Sequence, residues 1–247
     1  MNEKSLNGKT ILITGAAKRV GRIFALACAR AGADIIIHHG HSPEEALQVK
    51  DQIESIGRKA HMLASDFGKP AEVTRLISQA LEFSPLYALV NSAAIFESLS
   101  FNETTLADWE RHMAINLTAP FLLSQEFARQ TKEGRIVNIV DWRALRPGAD
   151  HFPYTISKSA LAALTQSLAV ALAPRITVNG LALGAILQPA NKNQPANEAA
   201  NEKLIEQVPA KRWSEAHEVE EALIFLLTGP AYITGEIIHV DGGRHLV

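Results

Sequence analysis

Cysteine is nearly missing from this chain: one residue, Cys28, stands among 247. No internal disulfide can form, so stability must come from a packed core. Cys28 lies in the apolar stretch FALACARAG, which predicts a buried structural thiol. An excess of either charge is missing too. The 24 Lys and Arg residues face 26 Asp and Glu, for a net charge of −2. That excludes the basic surplus of a nucleic-acid binder or of a protein attracted to anionic membranes. No uninterrupted apolar run is long enough to span a bilayer. The opening residues MNEKSLNGKT lack the apolar stretch of a secretory signal. A soluble cytoplasmic protein is expected. Low-complexity tracts, internal repeats and interdomain linkers are also missing. What is abundant is apolar residues, 47% of the chain, enough for a sizeable core in one domain of this length.

Those apolar residues come in short β-rich runs that alternate with longer helical ones. Lys9 to Thr14, Ala33 to His39, Lys59 to Ser65, Leu86 to Asn91, Gly134 to Val140, Arg175 to Leu181 and the segment GEIIHVDGG read as strands. Helices are predicted over Val20–Ala31, from Ser42-Pro43 to about Gly57, from Pro70, over Thr105–Thr131, over Tyr154–Leu172, near Glu198–Gln207 and over Glu215–Leu227. Strands alternating with helices imply right-handed crossovers and a parallel sheet covered on both faces. The expectation is a single α/β domain, a doubly wound seven-stranded parallel sheet with its ligand beyond the carboxyl ends of the strands.

The first strand meets the first helix through Thr14-Gly15-Ala16-Ala17-Lys18-Arg19-Val20-Gly21. Gly15 permits a tight turn, and Gly21 lets the helix approach the sheet. The helix N-terminus then offers N–H groups and a positive dipole end to a pyrophosphate. Arg19 occupies the place of a further glycine in the dinucleotide fingerprint. The segment is a modified phosphate cradle or an ordinary strand–helix turn. NAD sites usually carry an acid at the end of the second strand, which holds the ribose 2′-hydroxyl. Here the sequence is His38-His39-Gly40-His41-Ser42, and Asp34 comes too early. Ser42, His41 and Arg19 suit a 2′-phosphate, so NADP(H) is predicted over NAD(H), with His39 read as an exposed loop residue. No metal is expected.

Tyr154 and Lys158 are four residues apart at the start of a predicted helix, which puts phenol and ammonium on one face. A nearby cation favours phenolate, so Tyr154 is expected to have a lowered pKa and to give a proton as hydride reaches a C=O or C=N carbon. The alternative is a surface tyrosine and a solvated lysine. The position just past the fifth strand, where ligands should sit, favours chemistry.

With TGAAKRVG at Thr14, Asp66 after the third strand, NSAA at Asn91, Asn116, YTISK at Tyr154 and VDGG at Val240, the chain resembles the short-chain dehydrogenase/reductase superfamily over its full length. The resemblance implies a Rossmann-like fold and a catalytic set of Tyr154, Lys158 and Asn116, with Asn116 helping to hold a relay water near the lysine. It implies cofactor contacts at Gly15, Lys18, Arg19, Val20, Gly21, Asn91, Ala93, Tyr154, Lys158 and Gly184, and an adenine contact at Asp66, next to Phe67. Most members have a serine in the loop after the fifth strand; here Asp141 takes its place. That exchange is similar to the pteridine reductase and dihydromonapterin reductase branch, as are Arg19 in the turn and the His-rich end of the second strand. Phe96 then corresponds to an aromatic that stacks on a pterin. A carboxyl can accept from ring N–H groups or supply a proton to a ring nitrogen, so Asp141 would share proton delivery with Tyr154. The alternative is an aspartate that only caps its loop.

Other residues depart from that branch. Ala94 and Ile95 replace serines, His41 replaces an arginine, His151 replaces a pocket tyrosine, and Leu183 replaces the proline before Gly184. Trp142 and Arg143 are bulky, and Arg143 is either a ligand for a substrate anion or a solvated surface residue. Residues 184–213, with Gln188-Pro189 and Gln194-Pro195, read as a variable substrate lid or a surface loop. The leading expectation is NADPH-dependent reduction of a pterin-like substrate. The alternatives are another carbonyl (an oxoacyl thioester, a ketone or a sugar-like substrate) or a nucleotide-binding protein without turnover. By resemblance, the long helices pair subunits into a homotetramer.

Overall fold

The computed structural model describes residues 5–186 and 195–247. Its strands are β1 (Thr10–Ile13), β2 (Asp34–His39), β3 (Ala60–Ala64), β4 (Ala88–Asn91), β5 (Gly134–Asp141), β6 (Ile176–Leu183) and β7 (Ile237–Val240). Its helices are α1 (Arg19–Arg30), α2 (Pro43–Ser55), α3 (Pro70–Leu81), α4 (Leu106–Met113), α5 (Ala119–Gln130), α6 (Phe152–Leu172), α7 (Pro195–Glu206) and α8 (Ala216–Thr228).

Strands so apolar along both faces can only lie between two layers of helices. Ile11 and Ile13 enter one core and Leu12 the other; Ile35 and Ile37 part from Ile36 in the same way. α1, α2 and α8 cover the first face, and α3, α5 and α6 the second. The strand pairs are all parallel, in the order β3-β2-β1-β4-β5-β6-β7. This is the doubly wound, Rossmann-like α/β fold. β1 pairs with β2 on one side and β4 on the other, so the order reverses at β1 and a crevice opens beyond its carboxyl end.

The long helical stretch expected over Thr105–Thr131 is present, continuous from Leu106 to Gln130, with one irregularity the sequence did not show: between α4 and α5 the chain makes a π-helical turn, Ala114–Thr118. Such turns are widened by one residue and recur at functional sites; this one carries Asn116. His39 is buried in β2 at 7% exposure and is no loop residue. By length and a mean hydropathy of 1.2, α6 does qualify as a candidate membrane span. It nevertheless packs on β5 and β6 and carries buried Tyr154 and Lys158, as a core helix does. Of the expected lid, Gln188, Pro189 and Gln194 lie outside the described residues.

Candidate active site

The β1–α1 turn is shaped by contacts that exclude side chains. A Cβ on Gly15, which has φ +64°, would lie 2.8 Å from the Ala93 Cα, and one on Gly21 would lie 2.1 Å from the Gly15 carbonyl oxygen. Thr14 ties the turn to the end of β4, its hydroxyl accepting from the N–H groups of Ser92 and Ala93 at 2.9 and 3.0 Å. Arg19 has φ +47°, the left-handed region that a glycine would occupy at no cost. α1 has no side-chain cap and no acid in its first turn, so its leading N–H groups and positive dipole end remain for an anion. These features fit a dinucleotide pyrophosphate.

The turn is also held from below. The Gly15 N–H donates to Nδ1 of His38 at 3.1 Å, which leaves the proton on Nε2, and Nε2 donates to the Ser65 carbonyl at 3.0 Å. The imidazole stacks on Phe67 with centroids 4.3 Å apart. Burial, more than any neighbour, lowers its pKa to about 4, so the ring is neutral. Nothing in the sequence singled out this role; the one signal was a histidine ending an aliphatic strand that points at the turn.

Gly15, Lys18, Arg19, Val20, Gly21, His41, Asp66, Phe67, Ala93 and Gly184 line one cleft of about 710 Å³, together with Phe96, Asp141, Arg143, His151, Tyr154 and Lys158. The Lys18 ammonium is drawn to Glu45 of α2 at 2.7 Å. Three expected residues do not line the cleft. Ser42 occupies the N-cap of α2, past the rim. Asn91 turns into the sheet, where its amide donates to Asn138 at 2.8 Å. Asn116 is fully buried. Its Oδ1 accepts from the Ile95 N–H, and its Nδ2 donates to the Ile95 carbonyl and to Ser157, which leaves its amide committed to protein partners. Its side chain ties the strand-β4 exit, which leads to Phe96, to α6.

At the reacting end the Tyr154 phenol donates to Oδ2 of Asp141 at 2.9 Å. Oδ1 of Asp141 accepts the Arg143 N–H at 2.8 Å, so the carboxylate is oriented from both sides. The Lys158 ammonium donates to the Ile139 carbonyl at 2.6 Å and lies 5.8 Å from the Tyr154 ring centroid. Burial lowers the Lys158 pKa to about 8, against the opposing pull of Asp141. The expectation of a lowered Tyr154 pKa is not met. Burial first, and then the charge and hydrogen bond of Asp141, raise the Tyr154 pKa well above its ordinary value. Tyr154 therefore keeps its proton at neutral pH.

Phe96 is 55% exposed beside this pair, edge-on to Tyr154 at 4.7 Å. His151, at φ +51°, stacks on it at 4.0 Å and bonds the Glu97 carbonyl through Nδ1. One face of Phe96 is thus taken by the protein itself. Arg143 is no solvated surface residue. Its side chain is 15% exposed, pairs with Asp150 at 3.2 Å, and lies 4.8 Å from the Trp142 ring. Asn201, Leu204, Val208 and Trp213 from the lid segment also reach the cleft.

A phosphate cradle at the switch point, with a buried Tyr–Lys pair beyond the next strands, defines a dinucleotide-dependent oxidoreductase. The family model described as enoyl-(acyl carrier protein) reductase matches residues 15–245. The chain is 34% identical to the 3-oxoacyl-[acyl-carrier-protein] reductase of Aquifex aeolicus, over 98% of this chain and 99% of that one. The solved structure of a blue fluorescent protein from a metagenomic library, in complex with NADPH, superposes with a TM-score of 0.89 at 33% identity, covering 97% of this chain and 99% of that one. The FolM alternative dihydrofolate reductase 1 of Brucella canis, complexed with NADP, does so with a TM-score of 0.87 at 31% identity, covering 97% and 95%. The chain belongs to the short-chain dehydrogenase/reductase family.

Proposed function

We propose that this protein is an NADPH-dependent reductase of a pterin-like, flat C=N or C=O substrate. The observation that carries the reading is the Tyr154–Asp141 hydrogen bond, set inside the dinucleotide cleft beside an exposed aromatic ring. Bound NADP(H) supplies the hydride. Gly15, Gly21 and the head of α1 hold its pyrophosphate, and Arg19 and His41 meet its 2′-phosphate. Tyr154 gives the proton: its raised pKa keeps the phenol protonated until a substrate atom takes it. Lys158, a cation buried one helical turn away, offsets the negative charge that then forms on the phenol oxygen. Asp141 adds what a serine cannot, a carboxyl able to accept from a pterin N–H or pass a proton to a ring nitrogen. The open face of Phe96 stacks the ring.

Similarity to the FolM reductase supports this substrate class. Similarity to the Aquifex aeolicus reductase favours a second reading, a 3-oxoacyl thioester handled by the same Tyr154 and Lys158. NADPH oxidation followed by absorbance with dihydrobiopterin, dihydromonapterin and a panel of ketones and oxoacyl thioesters separates the two. Turnover of the dihydropterins supports the first reading, and turnover of the thioesters alone replaces it with the second. A lower KM for NADPH than for NADH is expected, and Arg19→Ala should abolish the difference; equal use of NADH refutes the 2′-phosphate assignment. The exposed apolar residues Phe121 of α5 and Val170 of α6 suit subunit pairing, and a homotetramer is the expected assembly. Light scattering that reports a monomer contradicts it.

A further inference from the structure

A second cavity, of about 670 Å³, opens beside the active-site cleft. Trp142 and Arg244 belong to the walls of both. Stretches far apart in sequence each bring a cation to it: Arg146 from the loop after β5, Lys211 from the segment between α7 and α8, and Arg244 from the C-terminal turn Arg244–Leu246. Among the described residues, none of the three forms a side-chain ion pair. Lys211 donates to the Glu206 backbone carbonyl at 2.5 Å, and Arg244 donates to the side-chain carbonyl of Gln207, both neutral acceptors. Among the described lining residues the one acidic side chain is Glu206. The Arg244 guanidinium is held below its ordinary pKa by burial and then by the charges of Arg143 and Arg146, against the opposing pull of Asp150. It also lies 5.0 Å from the Trp142 ring, which forms an apolar wall between the two cavities.

We propose that this cationic cavity binds the anionic tail, carboxylate or phosphate, of an extended substrate whose reducible head lies against Tyr154 and Phe96. The proposal rests on Tyr154 being the proton donor, and it does not depend on the head being a pterin. Guanidinium and ammonium groups with no ion pair among the described residues, at the rim of a cleft built for a flat head, complement an anion carried some way from the reacting carbon. The apolar face of Trp142 covers the connecting segment. A substrate without a tail fills the head site alone and gains nothing from the second cavity.

Two matched substrate pairs test this, each with one member lacking an anionic tail. Dihydrofolate is compared with dihydrobiopterin, and acetoacetyl-coenzyme A with ethyl acetoacetate. In whichever pair is turned over, the protein should prefer the tailed member in kcat/KM. The double variant Arg146→Gln, Lys211→Gln should lose about tenfold of that preference through KM, as expected for two partly exposed cations, while the untailed member keeps its rate. Raising salt to about 0.5 M should shrink the preference in the unmodified protein. A preference in the folate pair alone identifies a carboxylate tail, and one in the thioester pair alone a phosphate tail. If the dihydropterins are not reduced and the acetoacetyl pair is, the pterin reading fails while the second pair still decides the tail. If neither pair is reduced, calorimetric affinities of the same compounds for the NADPH complex decide it. Equal kcat/KM or affinity within a pair, or equal losses for both members in the double variant, overturns the proposal.

Discussion

Replacing Asp141 by serine, the residue usual in its family, separates the pterin reading from generic carbonyl reduction. The phenol of Tyr154 is 6% exposed and 2.9 Å from the Asp141 carboxylate, so the bond between them is buried and charge-assisted. Hydrogen bonds to charged groups contribute about 1.5–3 kcal/mol. If a pterin uses that carboxyl in its transition state, Asp141→Ser should lower kcat/KM for a dihydropterin roughly 10- to 150-fold. The rate with a simple ketone should hold or rise, because a serine hydroxyl can still bind a carbonyl oxygen. The substitution also removes the charge and the hydrogen bond that, after burial, hold the phenol pKa up. The limb of the rate profile that reports phenol ionisation should therefore move to lower pH. Initial rates of NADPH oxidation across pH, with both substrates, give both results at once. Unchanged dihydropterin turnover would refute the role of Asp141. An equal loss on both substrates would reduce it to a loop-capping residue.

Buried titratable groups give further expectations. The His38 pKa is about 4 in the fold and 6.5 ordinarily, so the unfolded chain binds the extra proton between those values. Stability should be fully present above pH 6.5 and fall as pH drops toward 4, by up to about 3 kcal/mol. Denaturant unfolding at a series of pH values should show that slope, and His38→Asn should flatten it; an unchanged slope contradicts a buried neutral imidazole. Lys158 shifts downward too, from 10.5 to about 8, and here stability should rise with pH across that window as the cost of burying an ammonium disappears, again by about 3 kcal/mol at most. Lys158→Met should remove the rise, and a wild-type curve flat from pH 8 to 10.5 counts against it. Gly21→Ala places a methyl 2.1 Å from the Gly15 carbonyl, so NADPH affinity measured by fluorescence should collapse or the protein should unfold; native affinity would mean the turn is not the cradle described.

The sheet was legible because its strands are apolar on both faces. Runs such as Ile35-Ile36-Ile37 have no solvent side, and only a sheet between helix layers accommodates them. The π turn after Met113 was not legible, because it holds Asn116, whose amide partners Ile95 and Ser157 are distant in sequence. The sign of the Tyr154 shift was misjudged for a related reason. Lys158 is the neighbour that helical spacing reveals, whereas Asp141 and the burial of the site are matters of tertiary packing. His38 was overlooked because its function depends on which ring nitrogen carries the proton, and that is set by Gly15 and Ser65 from two other strand ends. Arg143 stayed open between an anion ligand and a solvated residue because nothing local announces that Trp142, Phe96 and Asp150 will enclose it.

The most direct test of the account is single-turnover oxidation of NADPH by Tyr154→Phe in the presence of a reducible substrate. The account predicts NADPH affinity within about twofold of the unmodified protein and a rate at least about 100-fold lower, the usual worth of a positioned proton donor. A variant that oxidises NADPH at the original rate would show that the proton comes from elsewhere.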